Sequence, residues 1–152
     1  GKLCGWKARA FKLAKNGKKI MYAIGRTADA DPFGLVRAMR YLEDTLWITE
    51  GEFDSIALEY CMQLVESKKG YPVVSLTAGG GSIEKNLDYI ESRIKRKIKY
   101  LVLVLDDDEV GRIAEEAARE LWGTMVICIK KPKGSKDAND AVKANKVATR
   151  IL

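Results

Sequence analysis

Four short apolar runs, separated by segments with helical periodicity, constrain the fold of this chain more than any other feature of its sequence. The runs are LWIT, YPVVSL, YLVLVL and MVICI, and the segments at 53–67, 83–97, 109–121 and 137–146 follow them in turn. Alternating strands and helices predict an α/β fold, with a central parallel sheet of about four strands flanked by helices. The strands show no polar alternation, which indicates a sheet that is buried on both faces.

The first 39 residues follow a different pattern. WKARAFKL and KIMYAI mix apolar and basic residues, and Lys15-Asn16-Gly17 lies between them. Asn-Gly is a hairpin turn signal, so a small basic β-hairpin is predicted here, followed by a loop. Such a hairpin is too small to be an independent domain. We therefore predict a basic tail at residues 1–39 and the α/β domain at residues 40–152.

Composition excludes several functional classes. No apolar run approaches the ~20 residues that span a bilayer, so no membrane association is expected. The chain has no histidine, which excludes His-based acid–base catalysis, Ser-His-Asp triads and most zinc sites within it. Cys4, Cys61 and Cys128 have neither zinc-site nor disulfide-framework spacing. They are expected to be buried thiols in a reducing compartment.

The net charge of +6 is unevenly distributed. Residues 1–40 contain only two acids, Asp29 and Asp31, and further basic runs occupy residues 93–99 and 130–136. Basic patches attract polyanions by releasing counterions, although a solvated surface explains any single run equally well. Taken together, the basic segments favour a nucleic acid or nucleotide as partner.

Acidic residues follow three of the four predicted strands, and a glycine loop at residues 79–81 follows the remaining one. The acidic exits are Glu50-Gly51-Glu52-Phe53-Asp54, Asp106-Asp107-Asp108-Glu109 and Lys136-Asp137-Ala138-Asn139-Asp140. In a parallel sheet these exits meet at the carboxyl edge, where binding sites form. The glycine loop offers backbone N–H groups that can cradle an anion, although alone it is a weak signal.

Carboxylates that converge in this way repel one another unless a cation lies between them. Oxygen-only ligands select Mg²⁺ or Mn²⁺. Asp106 and Asp108 are two apart on an extended chain and can point the same way, while Gly51 allows a sharp turn after Glu50. The residues therefore predict a metal site built on Glu50, Asp106 and Asp108. Asp54 fits equally well as a structural acid in the first helical turn, where the helix dipole favours a carboxylate.

Two of these segments resemble the signature motifs of TOPRIM domains. Residues 50–54 are similar to the EGxxD motif and residues 106–108 to the DxD motif, each after an apolar strand. TOPRIM domains occur in primases, topoisomerases, certain nucleases and recombination proteins, and their acids coordinate Mg²⁺ for phosphoryl transfer on nucleic acid. The glycine loop, LDDDEVGRIAEEAARELWG and KDAND together resemble the bifunctional primase-helicases of phages and their mitochondrial relatives, over residues 30–145.

The resemblance implies the catalytic core of a DNA primase, a DNA-directed RNA polymerase that makes RNA primers in replication. The implied partners are single-stranded DNA template, NTPs and a helicase module in the same or a partner chain, with Mg²⁺ or Mn²⁺ as cofactor. The implied location is the cytoplasm of a bacterium or phage-infected cell. The implied metal ligands are Glu50, Asp54, Asp106, Asp108 and Asp137, of which Glu50, Asp106 and Asp108 would be catalytic. The implied nucleotide or nucleic-acid contacts are Lys7, Arg9, Lys12, Arg26, Arg112 and Lys136.

Some family features are missing and some alternatives stay open. The sequence has no zinc module, no GxxxxGK[ST] loop and no initiator Met, so it is expected to be a fragment that lacks a helicase motor. The same acids would suit a TOPRIM nuclease, whereas no tyrosine domain supports a topoisomerase. A nucleic-acid-binding remnant without activity is the third interpretation. Arg112 would contact a phosphate, or would pair with Glu115 or Glu116 at the surface.

Overall fold

The structure of the chain is a computed structural model that describes residues 5–27, 30–66, 70–77, 82–94, 98–130, 134–135 and 140. The chain divides into two compact units, residues 1–31 and residues 32–152. Each unit is described by itself. None of the helices in the described ranges combines the length and hydropathy that a membrane span requires.

The first unit contains the predicted hairpin. Strands β1 (Gly5–Leu13) and β2 (Lys19–Gly25) pair antiparallel, with Trp6 opposite Ile24 and Arg9 opposite Met21. Gly17 has a φ of 76°, which a hairpin turn requires and which glycine adopts without steric cost. Because side chains alternate along a strand, the Arg9–Met21 pair lies on one face and the Trp6–Ile24 pair on the other.

The second unit contains a four-stranded parallel sheet and confirms the predicted fold class. Its strands are β3 (Thr45–Thr49), β4 (Val73–Ser75), β5 (Tyr100–Val104) and β6 (Val126–Cys128), in the order β4-β3-β5-β6. Its helices are α1 (Leu35–Tyr41), α2 (Glu52–Glu66), α3 (Ile83–Arg93) and α4 (Glu109–Trp122). A short 3₁₀ turn, Gly123–Met125, joins α4 to β6.

Both faces of the sheet are buried, as the uninterrupted apolar strands predicted. Leu101 and Leu103 of β5 belong to a large core cluster that includes residues of α1, α3 and α4. Val104 belongs to a second cluster, with Leu58 and Met62 of α2. Successive residues of a strand point to opposite faces, so an unbroken aliphatic run supplies both clusters at once.

The helices differ clearly from the sequence expectation in two places. Helix α1 was not predicted; Leu35 and Ala38 anchor it in the large cluster. Helix α3 ends at Arg93 rather than at residue 97, because Ile94 adopts an extended conformation and packs against that cluster. The helix expected at residues 137–146 and the glycine loop at residues 79–81 lie outside the described residues.

Candidate active site

The exits of β3 and β5 bring Glu50 and Asp106 together. These strands pair in parallel with Thr49 level with Val104, so both chains leave the sheet side by side. The backbone N–H of Asp106 donates to Oε2 of Glu50 at 3.4 Å. Both residues are half-buried. The sheet register thus places one predicted catalytic carboxylate against the backbone of the other.

The turn after β3 is held by hydrogen bonds to the carbonyl oxygen of Gly51. The backbone N–H groups of Asp54 and Ser55 each donate to it at 3.1 Å, and Oγ1 of Thr49 donates at 3.2 Å. Oγ1 of Thr49 also lies 2.7 Å from Oγ of Ser55. These contacts join the end of β3 to the start of α2. Neither Thr49 nor Ser55 was predicted from the sequence, because neither belongs to the acidic pattern.

Asp54 lies in the first turn of α2, as predicted. A Cβ atom added at Gly51 would lie 2.9 Å from Oδ2 of Asp54, so this carboxylate packs directly against the glycine. Gly51 therefore leaves room for the Asp54 carboxylate at the start of α2.

Asp108 has a structural role that the sequence analysis did not predict. It is the N-cap of α4, and its Oδ1 accepts a hydrogen bond from the backbone N–H of Gly111 at 2.9 Å. Gly111 is buried, and a Cβ atom there would overlap the carbonyl oxygen of Asp106. The first turn of α4 is thus packed against the exit of β5, which only a residue without a side chain permits.

Arg112 forms an exposed ion pair with Glu109, one turn earlier on α4. This partner is neither Glu115 nor Glu116, the two that the sequence predicted. Glu115 instead pairs with Lys130 at 3.0 Å. Exposed pairs of this kind contribute little to stability. The Arg112 guanidinium therefore lies at the surface just after the acidic exit of β5.

Asn86 clamps the two ends of the glycine loop. Its Oδ1 accepts from the backbone N–H and the hydroxyl of Thr77, both at 3.2 Å. Its Nδ2 donates to the carbonyl oxygen and the hydroxyl of Ser82, both at 2.8 Å. Asn86 is buried, so these bonds fix the residues on either side of positions 78–81 without competition from water. A single asparagine within a helical segment carries no sequence signal for this role.

The remaining predicted residues belong to the first unit or fall outside the described residues. Lys7, Arg9, Lys12 and Arg26 are exposed on the hairpin unit. Lys136 and Asp137 lie outside the described residues, so the structure does not place them relative to the acids.

The donor set at this edge fits a hard divalent cation. Glu50 and Asp106 offer only oxygen ligands, the kind that Mg²⁺ and Mn²⁺ prefer. Within the described parts of the chain, no group of three or more acidic or cysteine side chains is gathered as a ready metal site. Mg²⁺ is commonly held by only one or two carboxylates together with water and substrate phosphates, so a site with fewer than three protein carboxylates is compatible with this ion.

Comparison with known proteins gives a family-model match and similar solved structures. A family model described as Toprim-like matches residues 47–142, which include both acidic motifs. The crystal structure of the primase fragment of the bacteriophage T7 primase-helicase protein is similar, with a TM-score of 0.64 and 25% identity. The match covers 92% of this chain and 58% of that one, so this chain spans less than two thirds of the fragment.

A second similar structure contains bacteriophage T7 lagging-strand DNA polymerase with primase domains bound to an RNA/DNA hybrid and dTTP. Its TM-score is 0.56 and its identity 27%, over 91% of this chain and 70% of that one. No curated protein matches the chain.

Proposed function

The chain belongs to the Toprim-like family, whose domains generally bind a divalent metal, and from this premise we propose that it is the catalytic-core part of a DNA primase. The proposed reaction is the synthesis of RNA primers on a single-stranded DNA template. The observation that carries the proposal is the adjacency of Glu50 and Asp106 at the carboxyl edge of a primase-like fold. A helicase module in the same or a partner chain belongs to the proposal, because the T7 relative is a primase-helicase.

In the proposed reaction, the 3′-hydroxyl of one nucleotide attacks the α-phosphate of the next, and pyrophosphate leaves. A divalent cation at this edge would clamp the phosphates and lower the pKa of the attacking hydroxyl. Glu50 and Asp106 would hold that cation, and the Asp106 N–H keeps one carboxylate oxygen of Glu50 in place. Asp54, Asp108 and Asp137 are further proposed ligands. No side-chain base is required, which agrees with a chain that lacks histidine.

The hairpin suits a polyanionic substrate. Residues 5–27 contain Lys or Arg at positions 7, 9, 12, 15, 18, 19 and 26 and no acid. Such a segment attracts template and triphosphate by counterion release, and its contribution weakens as salt rises. We assign Lys7, Arg9, Lys12 and Arg26 to this role. Arg112 would exchange Glu109 for a substrate phosphate, and Lys136 would offset further negative charge.

Primer synthesis on single-stranded DNA with labelled NTPs and Mn²⁺ tests the proposal. Asp106→Asn should abolish the product, whereas Asp88→Asn, the same change at an exposed position of α3, should leave it unchanged. A wild-type protein that shortens the template would instead be a nuclease. A wild-type protein that binds the template in a salt-sensitive way and does neither would be a binding remnant, and the primase proposal would be wrong.

A further inference from the structure

We propose that the buried hydroxyl pair of Thr49 and Ser55 positions Glu50 for metal binding. The inference rests on the proposed function, since it assumes that Glu50 and Asp106 hold a divalent cation. Neither hydroxyl is a proposed ligand. Both act through the carbonyl group of Gly51, the residue after Glu50, so they are positioning residues.

Either hydroxyl of the pair can donate to the other, and one of the two arrangements extends to Gly51. Oγ of Ser55 lies 2.7 Å from Oγ1 of Thr49, and Oγ1 of Thr49 lies 3.2 Å from the carbonyl oxygen of Gly51. A hydroxyl has one proton to donate. When Ser55 donates to Thr49, the Thr49 proton is available for Gly51, and a chain runs from α2 through β3 to the turn. A longer contact, 3.4 Å, joins Thr49 to the carbonyl oxygen of Val74 in β4.

The Gly51 carbonyl is the point where this chain acts on the site. It accepts from Oγ1 of Thr49 and from the backbone N–H groups of Asp54 and Ser55. Because Gly51 follows Glu50 directly, holding the Gly51–Glu52 peptide restricts the backbone from which the Glu50 side chain leaves β3. Without the Thr49 hydroxyl, the two N–H groups would still hold the carbonyl to α2, but no other hydrogen bond within the described residues would join it to β3.

Burial strengthens the effect that the Thr49 and Ser55 hydroxyls have on the turn after β3. Thr49 is 0% exposed and Ser55 is 3% exposed, so water does not replace either hydroxyl when it is removed. Ser75 provides the contrast. It lies opposite Thr49 in β4 and is also 0% exposed, yet its hydroxyl makes no hydrogen bond within the described residues. Burial of a hydroxyl at this edge of the sheet is therefore not enough to join it by a hydrogen bond to the turn after β3.

The test is calorimetric titration of Mn²⁺ into the full chain, together with thermal unfolding without metal. Thr49→Val keeps the shape of the side chain and removes the hydroxyl, and Ser55→Ala removes the other. We expect the Mn²⁺ Kd to rise about ten-fold for Thr49→Val, the lower end of the loss when a residue behind a metal ligand is removed. The double variant should lose no more Mn²⁺ affinity than Thr49→Val alone, because both hydroxyls act through one series of hydrogen bonds. Thr49→Ser should restore the wild-type Kd.

Two matched controls separate positioning from general stability. Thr45→Val is the same change at the other end of β3, where the hydroxyl donates to Asp44 at 3.0 Å. Ser75→Ala removes the neighbouring hydroxyl that has no partner in the described chain. Both should keep the wild-type Kd, even where they change the melting temperature.

The outcomes distinguish the inference from the function on which it rests. An unchanged Kd in Thr49→Val, with wild-type protein that binds Mn²⁺, would overturn the inference alone. An equal loss of Mn²⁺ affinity in Thr45→Val or Ser75→Ala would also overturn it. Wild-type protein that binds no Mn²⁺ would contradict the proposed function and the inference with it. If Thr49→Val does not fold, Ser55→Ala and its Ser75→Ala control decide between these outcomes.

Discussion

The backbone N–H of Asp106 and Oε2 of Glu50 are 3.4 Å apart, in a contact that joins the exits of two neighbouring parallel strands. The contact links residues 56 positions apart in the chain. It depends on the register that sets Thr49 level with Val104. A shift of either strand would separate the two exits and remove the contact.

Replacing Glu50 by glutamine tests the charge without removing the oxygen acceptor. Glu50→Gln keeps an oxygen that can accept from Asp106, so the free energy of unfolding should change by less than about 1 kcal/mol. Mn²⁺ affinity measured by titration should fall by at least about ten-fold, since a carboxylate ligand is lost. Glu43→Gln is the matched control, an exposed glutamate just before the amino end of β3. Equal affinity in both variants would exclude Glu50 as a ligand.

Replacing Gly51 by alanine tests whether Asp54 belongs to the metal site. Gly51 has no positive φ, so alanine fits the backbone and should leave stability unchanged or raise it by about 0.5 kcal/mol. The new Cβ would press on Oδ2 of Asp54 and displace that carboxylate. We expect weaker Mn²⁺ binding in Gly51→Ala, with Asp54→Asn showing the same direction of change. Full affinity in both variants would make Asp54 a structural acid of the helix.

Replacing Gly111 by alanine should destabilise the fold. The Cβ would overlap the carbonyl oxygen of Asp106, a backbone atom that cannot move away cheaply. We expect a loss of about 3 kcal/mol in urea unfolding, typical of severe overpacking. Glu116→Ala, an exposed change on the same helix, should stay within about 0.5 kcal/mol of wild type. Similar stability in the two variants would contradict the close approach of α4 to the exit of β5.

Replacing Asn86 by alanine should also destabilise the fold, because the side chain loses its hydrogen bonds. The change removes four hydrogen bonds that the buried Asn86 side chain makes to Thr77 and Ser82. A hydrogen bond contributes about 0.5–1.5 kcal/mol, so we expect a loss of about 3 kcal/mol in urea unfolding. Asp88→Ala, exposed on the same helix, is the control. A loss below 1 kcal/mol, on the order of one ordinary hydrogen bond, would contradict the clamp.

The buried Cys61 and the half-buried Cys128 predict the direction of a pH dependence. Burial raises the pKa of the Cys61 thiol above its ordinary value of 9.0. Burial also raises the pKa of Cys128, where nearby Glu115 acts in the same direction and Arg119 opposes it. Native protein therefore binds more protons than unfolded protein above about pH 9, so this stabilisation is present below pH 9 and is lost as pH rises through the folded pKa values.

Thiol labelling and unfolding curves check this prediction. In a Cys4→Ser background, labelling of native protein at pH 7 should be slow and should become fast in denaturant. The free energy of unfolding should fall as pH rises above 9.0, and less steeply in Cys61→Ala. Rapid labelling of native Cys61 at pH 7 would contradict its burial.

The local sequence pattern was sufficient to predict the strands, three of the helices and the acidic residues that follow β3 and β5. A run such as Leu101 to Leu105 has one stable placement, inside a sheet covered on both faces, and a parallel sheet gathers its strand exits at one edge. The short helix α1 escaped prediction because it has only seven residues, too few for a periodic signal, and its stability comes from contacts with the core.

The sequence by itself determined the fold class and that the carboxylates after β3 and β5 approach the carboxyl edge, because hydrophobic periodicity and strand order are properties of contiguous residues. Only the tertiary structure decided how those carboxylates are held. The contact between Glu50 and Asp106, the Thr49–Ser55 hydroxyl pair and the Asn86 clamp each join residues that are separated along the chain or outside any motif. Such hydrogen bonds form only after the strands have taken their register and water has been excluded, so no local pattern of residues encodes them.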